Sequence, residues 1–269
     1  MHRYRIFHIL ALFLVLIILA GLLPQTTPAE RAAAASASPA LLSQSGGASL
    51  GVAYGSGFMY VGMGPRLYIY NVSILSNPVL LGISGLLPDV IQHVELVEST
   101  NRVYVTLGEG GLAVFSTVNK TAPELLGTYD TPGFARGLFM DGNYAYIADG
   151  ENGLVVLNIS NPSAIEQAAH YDSPGNARGI DRFDYGDGAK TYLADGSEGL
   201  QVLAVNVSTG DVGWLASWKP EDYPVNVEAV IVLDRVVSVA LGDQGDKGMR
   251  VYLEIRVSRI SEIAAAFEK

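Results

Sequence analysis

The stretch Tyr146-Ile-Ala-Asp-Gly-Glu-Asn-Gly-Leu154 is nearly reprinted 46 residues later as Tyr192-Leu-Ala-Asp-Gly-Ser-Glu-Gly-Leu200, with weaker copies at 104–112 and 60–67. A unit that recurs every 42 to 46 residues cannot bury its own apolar face and must stack on a copy of itself, which restricts the chain to a repeat architecture. A second element keeps the same period. Tyr129-Asp-Thr-Pro-Gly-Phe-Ala-Arg-Gly137 returns 42 residues on as Tyr171-Asp-Ser-Pro-Gly-Asn-Ala-Arg-Gly179, so two separate parts of the unit stay in phase. The markers define five units, at 49–90, 91–133, 134–175, 176–223 and 224–269.

Inside a unit the local pattern is strand throughout. In the third, segments 135–140, 143–148, 153–159 and 165–171 are rich in aliphatic and aromatic residues and are separated by Asp-Gly, Asn-Pro and Pro-Gly steps. Gly150 and Gly153 supply positive φ for a tight hairpin between the second and third strands. Asn161-Pro162 turns the chain again, because proline fixes φ and holds its predecessor extended. Four-stranded antiparallel units at this spacing are the blades of a β-propeller, an all-β fold.

The same residues carry a family resemblance. The pattern Tyr-x-Tyr-x-Ala-Asp-Gly-x-x-Gly-Leu, followed by Asn-Pro and then Tyr-Asp-(Thr/Ser)-Pro-Gly-x-Ala, resembles the LVIVD repeat of secreted bacterial and archaeal propellers. Residues 134–207 match it closely, 91–133 fairly, and 49–90 and 224–269 loosely. The name-giving stretch reads Leu154-Val-Val-Leu-Asn158 in one copy and Leu200-Gln-Val-Leu-Ala204 in the next. The resemblance implies a propeller outside the cytoplasm and transfers no catalytic motif.

Five units leave two arrangements open. One is a compact closed ring, the reading preferred here, and the other is an incomplete arc of a larger propeller. No spare N-terminal strand is available to lock the last blade. The fifth unit is degenerate, with an acidic, glycine-rich stretch at 242–248 and arginines at 256–259 where Asn-Pro is expected.

Before the repeats the chain changes character. Arg3 and Arg5 precede an 18-residue run, 6–23, that is apolar apart from His8, and an alanine-rich stretch follows. These are the basic, apolar and small-residue parts of a secretory signal. Residues 1–29 are therefore expected to be a signal peptide or, because the run sits at the short edge of a bilayer span, a membrane-anchor helix. Residues 30–48 read as a flexible linker. Either way the repeat domain is expected outside the cytoplasm, secreted, periplasmic or at the cell surface, touching the membrane only through its N-terminal segment.

The chain contains no cysteine, which removes disulfides, thiolate metal sites and cysteine nucleophiles together. Its formal charge is −10, and loss of Arg3 and Arg5 with a signal takes that to −12. Nucleic acid is not an expected partner, since its phosphates need a basic face. No cofactor or metal is expected. His93 and His170 lie in strand segments without a partner at ligand spacing, and Asp181, Asp184, Asp187, Asp243 and Asp246 do not follow the alternating pattern of a calcium loop. They read as solvated turns. Asn71, Asn119, Asn158 and Asn206 head Asn-x-Ser/Thr triplets and read as turn-forming residues.

One constellation is placed by topology. In a four-stranded blade the hairpin between strands two and three and the link between successive blades emerge on one face, so Asp149, Asp195, Arg136 and Arg178 are expected to gather there as a ring of charge. Two roles follow. Each arginine ties its strand to a neighbouring turn carboxylate, or Arg136 and Arg178, with Phe134 and Asn176, form a recognition surface. The function expected is a non-enzymatic binding module for an extracellular or cell-surface protein, peptide or glycan. The alternative is an extracytoplasmic hydrolase or lyase acting on carbohydrate or ester substrates through channel carboxylates, and fold alone does not choose between them.

Overall fold

The computed structural model describes residues 50–186, 188–219, 226–233, 236–242 and 250–256. They form five antiparallel sheets, one for each repeat, each ordered as in sequence. The first joins β1 (Gly51–Gly55), β2 (Phe58–Met63), β3 (Arg66–Asn71) and β4 (Val79–Ile83). The second joins β5 (His93–Val97), β6 (Arg102–Thr106), β7 (Leu112–Ser116) and β8 (Glu124–Tyr129). The third holds β9 (Leu138–Asp141), β10 (Tyr144–Ala148), β11 (Leu154–Asn158) and β12 (Glu166–Tyr171). The fourth holds β13 (Gly179–Asp184), β14 (Ala189–Ala194), β15 (Leu200–Asn206) and β16 (Asp211–Trp218). Three strands of the fifth are described, β17 (Asn226–Leu233), β18 (Val236–Gly242) and β19 (Arg250–Arg256). The fourth strand expected near 263–267, the hairpin at 243–249 and the N-terminal segment and linker lie outside the described residues. No helix among the described residues is long and apolar enough to cross a membrane.

The sheets stack face to face. Tyr60, Tyr104, Tyr146 and Tyr192 sit at one register position on the second strands and are all fully buried. Each helps form the floor on which the next blade packs: Tyr60 lies with Val94 and Val105, Tyr104 with Leu138 and Ile147, Tyr146 with Ile180 and Leu193, and Tyr192 with Val230 and Val239. Burial favours the neutral phenol, and the Tyr146 hydroxyl is pushed up to about 12, chiefly by desolvation. Arg182 crosses from the fourth blade to stack on the Tyr146 ring, 4.6 Å from its centre, while its Nε donates to Asp141 at 3.0 Å.

The first strand of each blade packs against the next in chain order, β1 on β5, β5 on β9, β9 on β13 and β13 on β17. Two differences from the sequence reading have physical causes. The third blade's first strand begins at Leu138, not at 135, because Ala135 is spent on the previous blade: its N–H donates to Gly108 O at 2.9 Å and its carbonyl accepts from Gly108 N at 3.1 Å. A register slip recurs where the third strand meets the fourth in each complete blade, at Ile69/Tyr70, Val114/Phe115, Val156/Leu157 and Val202/Leu203. Such bulges add local twist.

At the hub the backbones approach too closely for side chains. A Cβ on Gly179 would lie 2.8 Å from Ala229 Cα and 3.1 Å from Glu228 O, both backbone atoms of the next blade. Gly179→Ala is therefore expected to lose about 1–3 kcal/mol of unfolding free energy in urea. Gly213→Ala, whose Cβ would find its nearest neighbour at 4.0 Å, should stay within about 0.5 kcal/mol.

Candidate functional site

The face carrying the second-to-third-strand hairpins is built by short backbone ties. In the third blade Asp149 N–H donates to Gly153 O at 2.7 Å, and Gly150 and Gly153 take φ of 62° and 74°. The hairpin then grips two links. Phe134 N–H donates to Asp149 O at 3.3 Å, and Gly150 exchanges hydrogen bonds with Ala177 of the following link. Hairpins and links share one face, as topology requires.

The two aspartates do not form an exposed ring of charge there. Asp149 and Asp195 are fully buried, and each is the acceptor of a closed set of donors. Asp149 accepts from Thr131 Oγ1 at 2.6 Å, Gly133 N at 2.8 Å and Asn152 Nδ2 at 3.0 Å. Asp195 accepts from Ser173 Oγ at 2.5 Å and Gly175 N at 3.1 Å, with Gln201 Nε2 at 3.5 Å. Each carboxylate thus pins the Thr/Ser-Pro-Gly link entering its own blade. Neither is available to a ligand or to an arginine.

The arginines are placed differently from each other, and neither bonds a turn carboxylate. Arg178 Nη1 meets both carboxylate oxygens of Glu228 at 2.6 Å, a partner on β17 of the next blade. Arg136 has no ion pair or side-chain hydrogen bond among the described residues; its guanidinium instead lies over the Phe134 ring, 4.5 Å from the centre. Half-burial and the nearby Arg178 lower the Arg136 pKa from its ordinary value, and Glu228 partly offsets them. Arginine stays charged through such a shift.

Arg136, Arg178 and Glu228 occupy one repeat position. Each follows the residue that bridges the preceding hairpin: Ala135 to Gly108, Ala177 to Gly150 and Val227 to Gly196. Gln92 stands at the same point of the second blade, after Ile91, whose N–H donates to Gly64 O at 3.0 Å. Phe134 and Asn176 precede the bridge in their own blades. Three buried polar atoms in this neighbourhood have no hydrogen-bond partner among the described residues, Arg136 Nε, Arg178 Nε and Asn176 Oδ1, and unpaired buried polar atoms are rare enough to need a reason. The face thus presents one uncompensated cation backed by an aromatic ring, an adjacent neutralised pair, and an amide acceptor.

Glu228 was not legible in sequence. It lies 50 residues after Arg178, where Arg136 and Arg178 are 42 apart, so the lengthened period hid its register. The parallel between Asn176-Ala-Arg178 and Asn226-Val-Glu228 is the signal that places it.

The other candidates disperse. His93 Nε2, on β5, is 3.8 Å from Glu95, while His170 Nε2, on β12, is 3.0 Å from Asn152 O in the hairpin before β11. Asp181 accepts from Arg182 N and from Val232 N of the next blade, so it is an inter-blade tie rather than a solvated turn. Asp184 caps the turn at Gly186, and Asp187, Asp243 and Asp246 lie outside the described residues. Among the described residues no group of His, Asp and Glu side chains is arranged to hold a metal ion. Asn71, Asn119, Asn158 and Asn206 each accept the backbone N–H two residues on, at 2.9–3.1 Å, the turn role expected of them.

The LVIVD repeat family matches residues 132–173, the third blade from the Pro-Gly link that Asp149 pins to the end of β12. None of the curated proteins matches the chain in sequence. Among solved structures the chain is similar to a protein from Lactobacillus plantarum, with TM-score 0.61 and 14% identity over 77% of this chain and 71% of that one. It is also similar to Sqt1 from Saccharomyces cerevisiae, with TM-score 0.60 and 10% identity over 78% and 63%. The chain therefore spans less than two thirds of the yeast structure. At such identities the likeness is one of fold, and the chain is a β-propeller with an LVIVD repeat at its centre.

The buried carboxyls give the site a pH dependence of stability. Burial, only partly offset by the three donors, raises the Asp195 pKa from 3.8 to about 6, and Asp149 shifts in the same direction. A folded-state pKa above the unfolded one means that the folded protein holds the proton more tightly. The stabilisation is complete below the ordinary carboxylate range and is lost as pH rises through about 6. Urea unfolding between pH 5 and pH 7 is expected to show a fall in stability that Asp195→Asn makes shallower; identical pH slopes would exclude Asp195 as its source.

Proposed function

We propose that this propeller is an exported, non-enzymatic binding module that receives a carboxylate-bearing part of a protein, peptide or glycan on its hairpin face. The carrying observation is Arg136, a half-buried cation that has no acidic partner among the described residues and is held in place by the Phe134 ring. Holding an arginine beside a second arginine is unfavourable unless an anion joins it, and the ordered, partly desolvated guanidinium donates bidentately to a carboxylate at little conformational cost. Arg178 is already matched by Glu228, which favours a ligand with one negative group at this point. Asn176 on the adjacent blade offers the polar atom that orients it. The backbone beneath these side chains is fixed by the Asp149 and Asp195 ties, the rigid support on which loop-borne recognition depends.

Export is supported by the charged, apolar and alanine-rich order of residues 1–48. An exported setting, soluble or tethered through the N-terminal segment, places the face before extracellular or cell-surface macromolecules.

Arrays of acidic peptides and uronate-bearing glycans, probed with purified wild type, Arg136→Ala and Arg136→Ala/Arg178→Ala, test the reading. Binding to the carboxylate-bearing probes is expected to fall at least about tenfold in Arg136→Ala, with the melting temperature little changed, because the Arg136 side chain makes no hydrogen bond or ion pair among the described residues and touches only the ring of Phe134, two residues away. Equal signals from all three proteins would remove the face from consideration. Turnover across a glycosidase and esterase panel would replace binding with catalysis.

A further inference from the structure

Three buried atoms without a hydrogen-bond partner among the described residues lie at the hairpin face, and their roles describe a ligand more closely than a carboxylate alone does. Two are donors, Arg136 Nε and Arg178 Nε, and one is an acceptor, Asn176 Oδ1. The backbone brings them together. A Cβ on Gly137 would lie 2.9 Å from Arg178 O, so Arg136 and Arg178 stand on abutting segments at the hub. A Cβ on Gly196 would lie 3.6 Å from both Arg178 Nε and Asn176 Cβ, so both side chains reach over the same bare glycine.

The two arginines are not equivalent donors. Arg136 carries an unmatched charge over a ring that is itself propped: Phe134 rests against Gly108, where a Cβ would come within 2.7 Å of Phe134 Cζ. Arg178 uses one nitrogen, Nη1, for both oxygens of Glu228 and keeps Nε unused. An anion at that Nε would also face the Glu228 carboxylate, so the group that belongs there is neutral. It must accept from Arg178 Nε and donate to Asn176 Oδ1. A hydroxyl does both through one oxygen, whereas a carboxylate only accepts and a peptide N–H only donates. In solution a water molecule serves the same two atoms, and a ligand hydroxyl that displaces it reproduces its bonds.

We infer that the face recognises a uronic acid, its carboxylate on Arg136 and a hydroxyl of the same ring between Arg178 Nε and Asn176 Oδ1. The inference rests on the carboxylate reading proposed above and selects the acidic glycan over the acidic peptide. A pyranose ring fixes its carboxylate and hydroxyls relative to one another, so both contacts form for one ordering cost. An aspartate–serine peptide carries the same two groups on separately rotating side chains and loses that advantage. A chain of glutamates has no hydroxyl and leaves Arg178 Nε and Asn176 Oδ1 unpaired, which is costly for buried polar atoms.

Isothermal titration calorimetry of the full-length protein tests this with galacturonate and glucuronate oligomers, a capped glutamate oligomer of the same charge and a capped aspartate–serine repeat. The better of the two uronates is expected to bind at least about tenfold more tightly than either peptide. Asn176→Ala should weaken the uronate by about that factor and leave the glutamate oligomer unchanged, since Asn176 faces only the hydroxyl. Its melting temperature should stay at the wild-type value, because Asn176 Oδ1 bonds nothing among the described residues. Arg136→Ala should weaken every probe. Uronates that bind no better than a peptide whose binding needs Arg136, or an Asn176→Ala loss that is absent or shared equally by all probes, would overturn the inference and leave the carboxylate reading standing. Binding of no probe, or binding indifferent to Arg136, would overturn both.

Discussion

A four-stranded sheet with apolar side chains on both faces has no way of removing them from water alone, and face-to-face stacking is the solution that the rest of this structure follows from. Each of the first four blades offers the next a buried tyrosine flanked by aliphatic residues, and is received on a first-strand valine, leucine or isoleucine. Stacking flat sheets around an axis crowds their first strands, which is why Gly137 and Gly179 face backbone rather than side chains. The links between blades must then turn sharply in the space left. Asp149 and Asp195 hold those links, and their desolvation is tolerated because three donors each replace the lost water.

Most of that frame could be read from the chain because its determinants are local and repeat. Asp-Gly-x-x-Gly states a hairpin, Asn-x-Ser/Thr states a turn two residues long, and the spacing of tyrosines states the period. What escaped is non-local. Asp149 in a glycine-rich turn looks solvated, since Thr131 and Gly133, which bury it, come from the link 16 to 18 residues earlier. The bulge between third and fourth strands changes pairing without changing composition. Expecting Arg178 to seek a turn aspartate overlooked that those aspartates were already occupied; its partner Glu228 stands on a blade whose period had drifted.

The candidate site is a product of the same economy. Backbone geometry at the residue after each inter-blade bridge is held constant by hydrogen bonds to the preceding hairpin, so side chains there vary without disturbing the stack. Gln92, Arg136, Arg178 and Glu228 occupy that position in successive blades. Two of them neutralise each other. The pair leaves Arg136 as the unmatched charge, stiffened by Phe134 and separated from solvent on part of its surface. Loss of the Arg178–Glu228 pair would put a second free cation beside the first, so the pair restricts what the site accepts as well as holding two blades together.

The net charge of −10 constrains how an anion reaches that cation. Attraction at long range is absent, because the protein as a whole repels negative ligands, although at physiological ionic strength the repulsion is screened beyond about 8 Å. A half-buried guanidinium is screened much less, so its pull is felt only on contact. Association is then unsteered and the discrimination resides in how long a matched group stays. On the binding role proposed above, a ligand is held by how well its geometry satisfies Arg136 and Asn176 together. The role so proposed is selection by fit rather than by net charge.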